Sequence, residues 1–320
     1  MTRLISRQIK ENISLKDYTT FKIGGKAKYL AEVQNQNQLI DTLRWAKENH
    51  APFFILGNGS NVLFSDRGFK GLVVKINNPS FQKINSSTIL VGAGLTVGEF
   101  LQQCVRNSWQ DYEWLAGIPG TMGGVIFGNA GAFGKEIKNF VKKVITLDPK
   151  NFKIKNYSLS QCRFDYRESV FKKNKEIILA VELKVKNGNK KIIQKKIQDN
   201  WQYKIFHHLF EYPSTGSVFK NILIKKTIYK KYYDKKNNKV KILNEEIEVK
   251  GGKVSAGYFI EKTGLRGYQI GGAKIADFHA NVIINVKNAK AQDVLKLISL
   301  MKRKVYQKFK IKLQEEVIIV

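Results

Sequence analysis

A chain of 320 residues with 43% hydrophobic content is long enough for two or three compact units, each with its own core. Its formal charge of +30 is carried almost entirely by lysine, with nine arginines among 56 basic residues, and the lysines are scattered over every segment. That scatter describes a solvated surface that attracts anions; it argues against a base-reading nucleic-acid protein, which stays open only as a lysine-rich alternative.

No apolar run approaches the length of a bilayer span, and the first ten residues are too polar for a signal peptide, so the expectation is a cytoplasmic protein without membrane insertion. Cys104 and Cys162 stand far apart with no metal-ligand spacing, which fits a reducing compartment and gives no metal site.

In chain order, residues 17–33 read as a strand interrupted by Gly24-Gly25, followed by a helix carrying Leu39, Leu43 and Ala46. The short strand Phe53-Phe54-Ile55-Leu56 runs directly into Gly57-Asn58-Gly59-Ser60-Asn61, and no helix opens after it. This pentapeptide is either an Asn-Gly hairpin turn or a nest of inward-pointing N–H groups able to hold a pyrophosphate, with Asn58, Ser60 and Asn61 as extra donors. Residues 89–98 form a strand and a loose glycine fingerprint before a helix opened by a Thr96/Glu99 capping box. The chain that follows lacks the βαβ continuation a dinucleotide site needs, so this motif is set aside. Cys104 falls on the apolar side of that helix as packing.

The stretch from Glu113 to Gly134 departs furthest from ordinary composition, with seven glycines and no charge after Glu113. Glycine at that density is costly in chain entropy unless backbone must take φ > 0 or let another group come very close, and a cofactor cradle fits better than a set of buried turns. Strands follow at 144–147 and 176–185. Between them Arg167 sits among aromatic and apolar residues, either as a fixed cation or as the partner of Asp165 or Glu168. Residues 192–205 are helical by pattern and read as a bridge. The loop 211–221 packs hydroxyls, a glycine and Lys220 together. Ser255 caps a short helix, residues 269–286 read as two strands, and an amphipathic helix buries Val294, Leu297, Ile298, Met301, Val305 and Phe309 before a closing strand at 315–320. The pattern is α+β, without regular βαβα alternation.

Six motifs then occur in register: Gly57–Asn61, Ala116–Thr121 through Gly128–Ala132, Tyr166–Ser169, Gly216–Asn221, His279-Ala280-Asn281 and Glu316-Val317. Together they resemble the UDP-N-acetylenolpyruvylglucosamine reductases over the whole chain. The resemblance implies a two-part FAD-binding domain of vanillyl-alcohol oxidase type and a smaller α+β substrate-binding domain. It places FAD subdomain 1 at 1–78, completed by a C-terminal strand at 314–320, subdomain 2 at 79–205, and the substrate domain at 206–313.

The implied activity is NADPH-dependent reduction of an enolpyruvyl ether of UDP-N-acetylglucosamine to UDP-N-acetylmuramate in peptidoglycan precursor synthesis, with the hydride passed through flavin N5 and a proton delivered by Ser217. Arg167 and Glu316 match the family's pair that stabilises the developing charge. FAD is expected on Gly57, Asn58, Gly59, Ser60, Asn61, Ala116, Gly117, Ile118, Pro119, Gly120, Thr121, Gly123, Gly124, Asn129 and Ala130. It is expected noncovalently, since none of the four histidines lies in either loop. Lys220, Asn221, Lys274, His279 and Asn281 are the expected substrate contacts, and a monomer is expected. Another FAD oxidoreductase of the same superfamily is the alternative.

Three features depart from the family's pattern. Phe133 stands where tyrosine is frequent, Asp277 where a small hydroxyl residue is common, and Glu316-Val317 lacks a following arginine. The excursion from 222 to 253 has no counterpart there. Its β-prone arms, 228–233 and 240–243 around a polar turn, predict a basic hairpin standing off the substrate domain.

Overall fold

β-branched runs and amphipathic helices sort into two separately packed units in the computed structural model, which describes residues 9–207 and 211–320. One unit comprises Met1–Tyr18, Gly25–Ser60 and Arg67–Phe210; the other comprises Thr19–Gly24, Asn61–Asp66 and Glu211–Val320.

The first unit carries two sheets over one core. A four-stranded sheet, in the order Lys10–Ser14, Lys26–Val33, Phe69–Ile76, Phe53–Leu56, is parallel except for its first pairing. A five-stranded antiparallel sheet follows in the order Ile154–Ser158, Val141–Leu147, Ile177–Lys184, Thr88–Gly92, Phe81–Asn85. Leu72, Val74, Ile89, Val91, Val144 and Leu183, all 0% exposed, belong to one cluster that spans both sheets. The helix Val97–Arg106 begins with the expected Thr96/Glu99 capping box and buries Cys104. The strand expected over 17–33 starts only at Lys26. Ahead of it Leu15–Tyr18 is a 3-10 turn, because Leu15 is fully buried and its N–H is taken by the Gly25 carbonyl at 2.9 Å. The glycine tract also contains a short helix, Met122–Phe127, opened by the Thr121 hydroxyl accepting from the Gly124 N–H. Its glycines hid it from the periodicity.

The second unit packs the antiparallel sheet Ser214–Ser217, Val282–Asn285, Ala273–Ile275, Gln269–Ile270 with the helix Ala291–Phe309, whose predicted stripe is buried. That helix takes its N-terminal cap from far away in sequence: the Asp66 carboxylate accepts from Ala291 N at 2.8 Å and Gln292 N at 3.0 Å. The C-terminal strand, expected to complete the N-terminal subdomain, is Ile318–Ile319. It pairs in parallel with Val62–Leu63, and both strands cluster with the C-terminal unit. Leu63 and Val317 are buried in the core of the second unit.

The insert also differs from expectation. Residues Ile228–Tyr232 form a 3-10 turn where a strand arm was predicted, and the sheet is three-stranded, Tyr233–Asp234, Lys239–Ile242, Glu245–Glu248. It does not stand off. Tyr229, Val240, Ile242 and Val249 are buried in the second core, and the Tyr229 hydroxyl donates to the Phe309 carbonyl at 3.2 Å. The cause is alternation: Val240 and Ile242 face in while Lys239 and Lys241 face out.

Candidate functional site

In the first unit the glycine-rich segments meet because nothing but hydrogen fits between them. A Cβ at Gly57 would lie 2.6 Å from Thr121 Oγ1, and one at Gly123 would lie 2.9 Å from Ala93 Cβ. Backbone bonds then stitch the loops together. Gly123 N donates to Ala93 O at 2.8 Å, Met122 N to Leu95 O at 2.8 Å, and Val97 N to Gly120 O at 3.0 Å, while Asn58 Nδ2 donates to Pro119 O at 2.8 Å. Gly59, at φ 63°, makes the turn that the pentapeptide requires.

Against these loops lies a cavity of about 710 Å³, lined by Asn58, Gly98, Leu101, Ile118 and, from the helix Lys190–Phe206, Ile197 and Trp201. A Cβ on Gly98 would meet nothing within 4 Å, so the space opens directly above that helix start. The fingerprint at 92–98 set aside from sequence therefore borders the cavity. At the head of the tract Trp114 Nε1 and Glu113 Oε1 are buried without hydrogen-bond partners. Glycine-rich loops and a mostly apolar cavity of ligand size fit a cofactor that is part aromatic and part polar.

The 190–206 helix was read only as a bridge. It holds the tract from outside: Asn200 Nδ2 donates to Glu113 O at 2.9 Å and Lys204 Nζ to Ala116 O at 2.5 Å. Burial pulls the Lys204 ammonium down to about 8. Their i, i+4 spacing was the signal available in sequence.

Arg167 lies at the far end of the tract. Its backbone is left-handed, φ 55°, its Nη2 donates to Gly131 O at 2.9 Å, and its guanidinium sits 5.7 Å from the centre of the Tyr166 ring. The turn carrying it is fixed by reciprocal Asp165/Glu168 backbone bonds and by Asn129. Asn129 is fully buried and its amide is committed within the protein: Nδ2 donates to Asp165 O and Glu136 Oε2, and Oδ1 accepts from Lys138 N. An expected cofactor contact is thus the pin that ties the Arg167 turn to the glycine tract.

In the second unit, residues 217–220 run antiparallel to 314–316. Glu316 N donates to Val218 O at 2.8 Å, Lys220 N donates to Gln314 O at 2.9 Å, and Phe219 bridges Glu315. Ser217 and Glu316 are brought to neighbouring positions, Ser217 exposed and Glu316 half-buried, with Lys220 buried further along. Asn61, expected at the pyrophosphate, donates to Glu316 O at 3.0 Å. Asn281, expected to touch substrate, is 1% exposed, and its amide clamps Phe219 from both sides: Nδ2 donates to Phe219 O at 2.8 Å and Oδ1 accepts from Phe219 N at 3.0 Å. His279 Nδ1 accepts from Asn281 N, and Asn221 Oδ1 from Ala256 N. Lys274 is paired with the departing residue, Asp277, at 2.5 Å. Among the described residues no group of His, Cys, Asp and Glu could hold a metal ion.

Comparison with known proteins covers both units. Residues 208–320 match the family model described as UDP-N-acetylenolpyruvoylglucosamine reductase, C-terminal domain, and residues 27–150 match an FAD binding domain. The chain is 35% identical to the UDP-N-acetylenolpyruvoylglucosamine reductase of Caldanaerobacter subterraneus over 97% of this chain and 92% of that one. It is also 35% identical to that of Carboxydothermus hydrogenoformans, over 99% and 95%. The solved structure of the Thermus caldophilus reductase aligns over 96% of this chain and 97% of that one, with a TM-score of 0.73 at 27% identity.

Proposed function

The chain belongs to the UDP-N-acetylenolpyruvoylglucosamine reductase family, and from that premise we propose how its own residues carry the family's reaction. The protein is an FAD-dependent oxidoreductase that uses NADPH to reduce the enolpyruvyl ether of UDP-N-acetylglucosamine to UDP-N-acetylmuramate. The first unit, which takes most of residues 1–78 and all of 79–205, holds FAD. The second holds the UDP-sugar, with 314–320 part of it.

FAD, when bound, supplies the redox chemistry, taking two electrons and a proton from NADPH and delivering them to the vinyl carbon of the substrate. The Gly57–Ser60 turn and the 116–124 backbone hold it, offering N–H groups and close approach where side chains would block it. Negative charge then develops on the carbon bearing the carboxylate. Arg167 stabilises that charge, with Glu316 assisting as the protonated acid that donates a hydrogen bond to the enolate, and Arg167 is suited to it because its guanidinium is already fixed by Gly131 O, so little reorganisation accompanies the charge. Ser217 gives its proton to that carbon. The O–H bond breaks as the C–H bond forms, and the serine oxygen is reprotonated from solvent. A serine hydroxyl is a weak acid, so its conjugate alkoxide needs a nearby positive charge, which Lys220 supplies. Asn221 and His279 contact the UDP-sugar, and so does Lys274 once it leaves Asp277. Among the described residues no helix is long and apolar enough to cross a membrane, and we place the protein in the cytoplasm as a monomer.

The observation that supports this reading is the backbone pairing of 217–220 with 314–316, which runs the segments carrying Ser217 and Glu316 alongside each other. The test is Ser217→Ala followed by stopped-flow absorbance of each half-reaction. NADPH should bleach the flavin at its normal rate, whereas reoxidation by the enolpyruvyl sugar nucleotide should slow about a hundred- to ten-thousand-fold. A loss below roughly tenfold, with binding intact, removes Ser217 from the mechanism.

A further inference from the structure

We propose that residues 225–236 dock the protein reversibly onto an anionic lipid surface. The segment carries Lys225, Lys226, Lys230, Lys231, Lys235 and Lys236 against one acidic residue, Asp234, and contains no arginine. That is a net +5 over twelve residues, about four times the mean density of a chain with +30 over 320.

The neighbouring sheet neutralises itself. Lys239 stands opposite Glu248 and Lys241 opposite Glu246, and Lys239 and Lys250 form ion pairs with Glu246 and Glu248. The Asp234 carboxylate is turned into its own loop, accepting from Lys236 N, Asn237 N and Asn237 Nδ2. Among the described residues no carboxylate pairs with the six lysines.

The segment is also held rigidly. Ile224 and Tyr229 anchor it in the core of the second unit, which leaves Ile228 and Tyr232 exposed by 58% and 50% between the lysines. Lys231 lies 4.9 Å from the centre of the Tyr232 ring. An exposed tyrosine and isoleucine flanked by lysines suit the headgroup region, where the ring sits at the interface and the ammonium groups meet phosphates. An acidic protein groove or a nucleic acid would favour arginine forks, which this surface lacks.

The test is co-sedimentation of the flavin-loaded protein with vesicles of phosphatidylcholine containing about one-third phosphatidylglycerol, or none, at about 0.15 M salt. Binding only to the anionic vesicles is expected. Reversing Lys225, Lys226, Lys230 and Lys231 to Glu should weaken it about a hundredfold, whereas reversing Lys70, Lys83, Lys150 and Lys153, also exposed, should leave most of it. Ile228→Ser/Tyr232→Ser, with charge unchanged, should cost about tenfold. Retained yellow colour and an unchanged thermal transition confirm that each variant is folded. No sedimentation, equal losses from the two charge reversals, no effect of the Ser pair, or tighter lysine-dependent binding to a single-stranded homopolymer at the same salt would each overturn the proposal.

Discussion

Removing the Asn281 amide tests the site at the point where stability and chemistry are joined. Phe219 is fully buried, and its N–H and C=O are both paired with Asn281, at 3.0 and 2.8 Å. Asn281→Ala leaves one donor and one acceptor buried without partners, at about 1–3 kcal/mol each, so the expected loss is about 2–6 kcal/mol from the second unit. Asn281→Asp keeps the shape but sets a carboxylate oxygen against the Phe219 carbonyl. Its folded-state pKa is therefore raised. The protonated form restores the missing donor at low pH, and the deficit grows as pH rises through that value. Urea unfolding followed by circular dichroism gives the stability. Stopped-flow absorbance gives the consequence for Ser217, two residues before Phe219 on the same clamped run: reoxidation by substrate should slow while bleaching by NADPH and flavin content stay unchanged. A stability loss under 1 kcal/mol, or equal slowing of the two half-reactions, would falsify the clamp.

Three further outcomes follow from the geometry. Gly57→Ala drives a methyl into Thr121 Oγ1, 2.6 Å away, and should weaken FAD binding at least tenfold by flavin fluorescence; an unchanged Kd would mean that the 57–60 and 116–124 loops do not need that approach. Lys204, lowered by burial to about 8 from an ordinary 10.5, is protonated below pH 8 in both folded and unfolded chains, so its desolvation cost is fully present there. Between about 8 and 10.5 the folded form binds fewer protons, and stability relative to Lys204→Met should rise with pH; urea midpoints that stay parallel from pH 7 to 10 would contradict this. Replacing 229–248 by a glycine-serine linker removes the buried Tyr229, Val240 and Ile242, about 1.5–3 kcal/mol each. It should lower the thermal transition of the second unit while leaving FAD bound, and release of the yellow colour would place the insert in the cofactor unit.

Legibility in the sequence followed the range of the interaction. The Thr96/Glu99 capping box and the Val294–Phe309 stripe needed only neighbours within a few turns, and both formed as read. The glycines at 57 and 123 were legible because close backbone approach leaves a compositional mark. Partnerships between distant residues left none. Asp66 caps a helix that starts 225 positions later, and Asn61 bonds Glu316 across 255. The insert was misread because β-prone residues at 228–233 gave the right propensity, while the burial of Tyr229 against the 291–309 helix decided the conformation.

The asparagines show how a motif residue can serve a site by holding its backbone. Asn129 and Asn281 both belong to motifs that carry the family resemblance, and both were expected to contact cofactor or substrate. Each is buried, and each spends its amide on the backbone next to a catalytic candidate: Asn129 on the Asp165 carbonyl two residues before Arg167, Asn281 on Phe219 two residues after Ser217. An asparagine amide can donate and accept at once, so one side chain can hold two backbone groups of an irregular segment. Aspartate lacks the donor, and alanine leaves the loop's polar groups buried and unmet. Arg167 at φ 55° and the Gly216 turn at φ 69° are irregular backbone of this kind. The asparagines therefore hold still the segments from which Arg167 and Ser217 are presented, which is a demand of the chemistry as much as of stability.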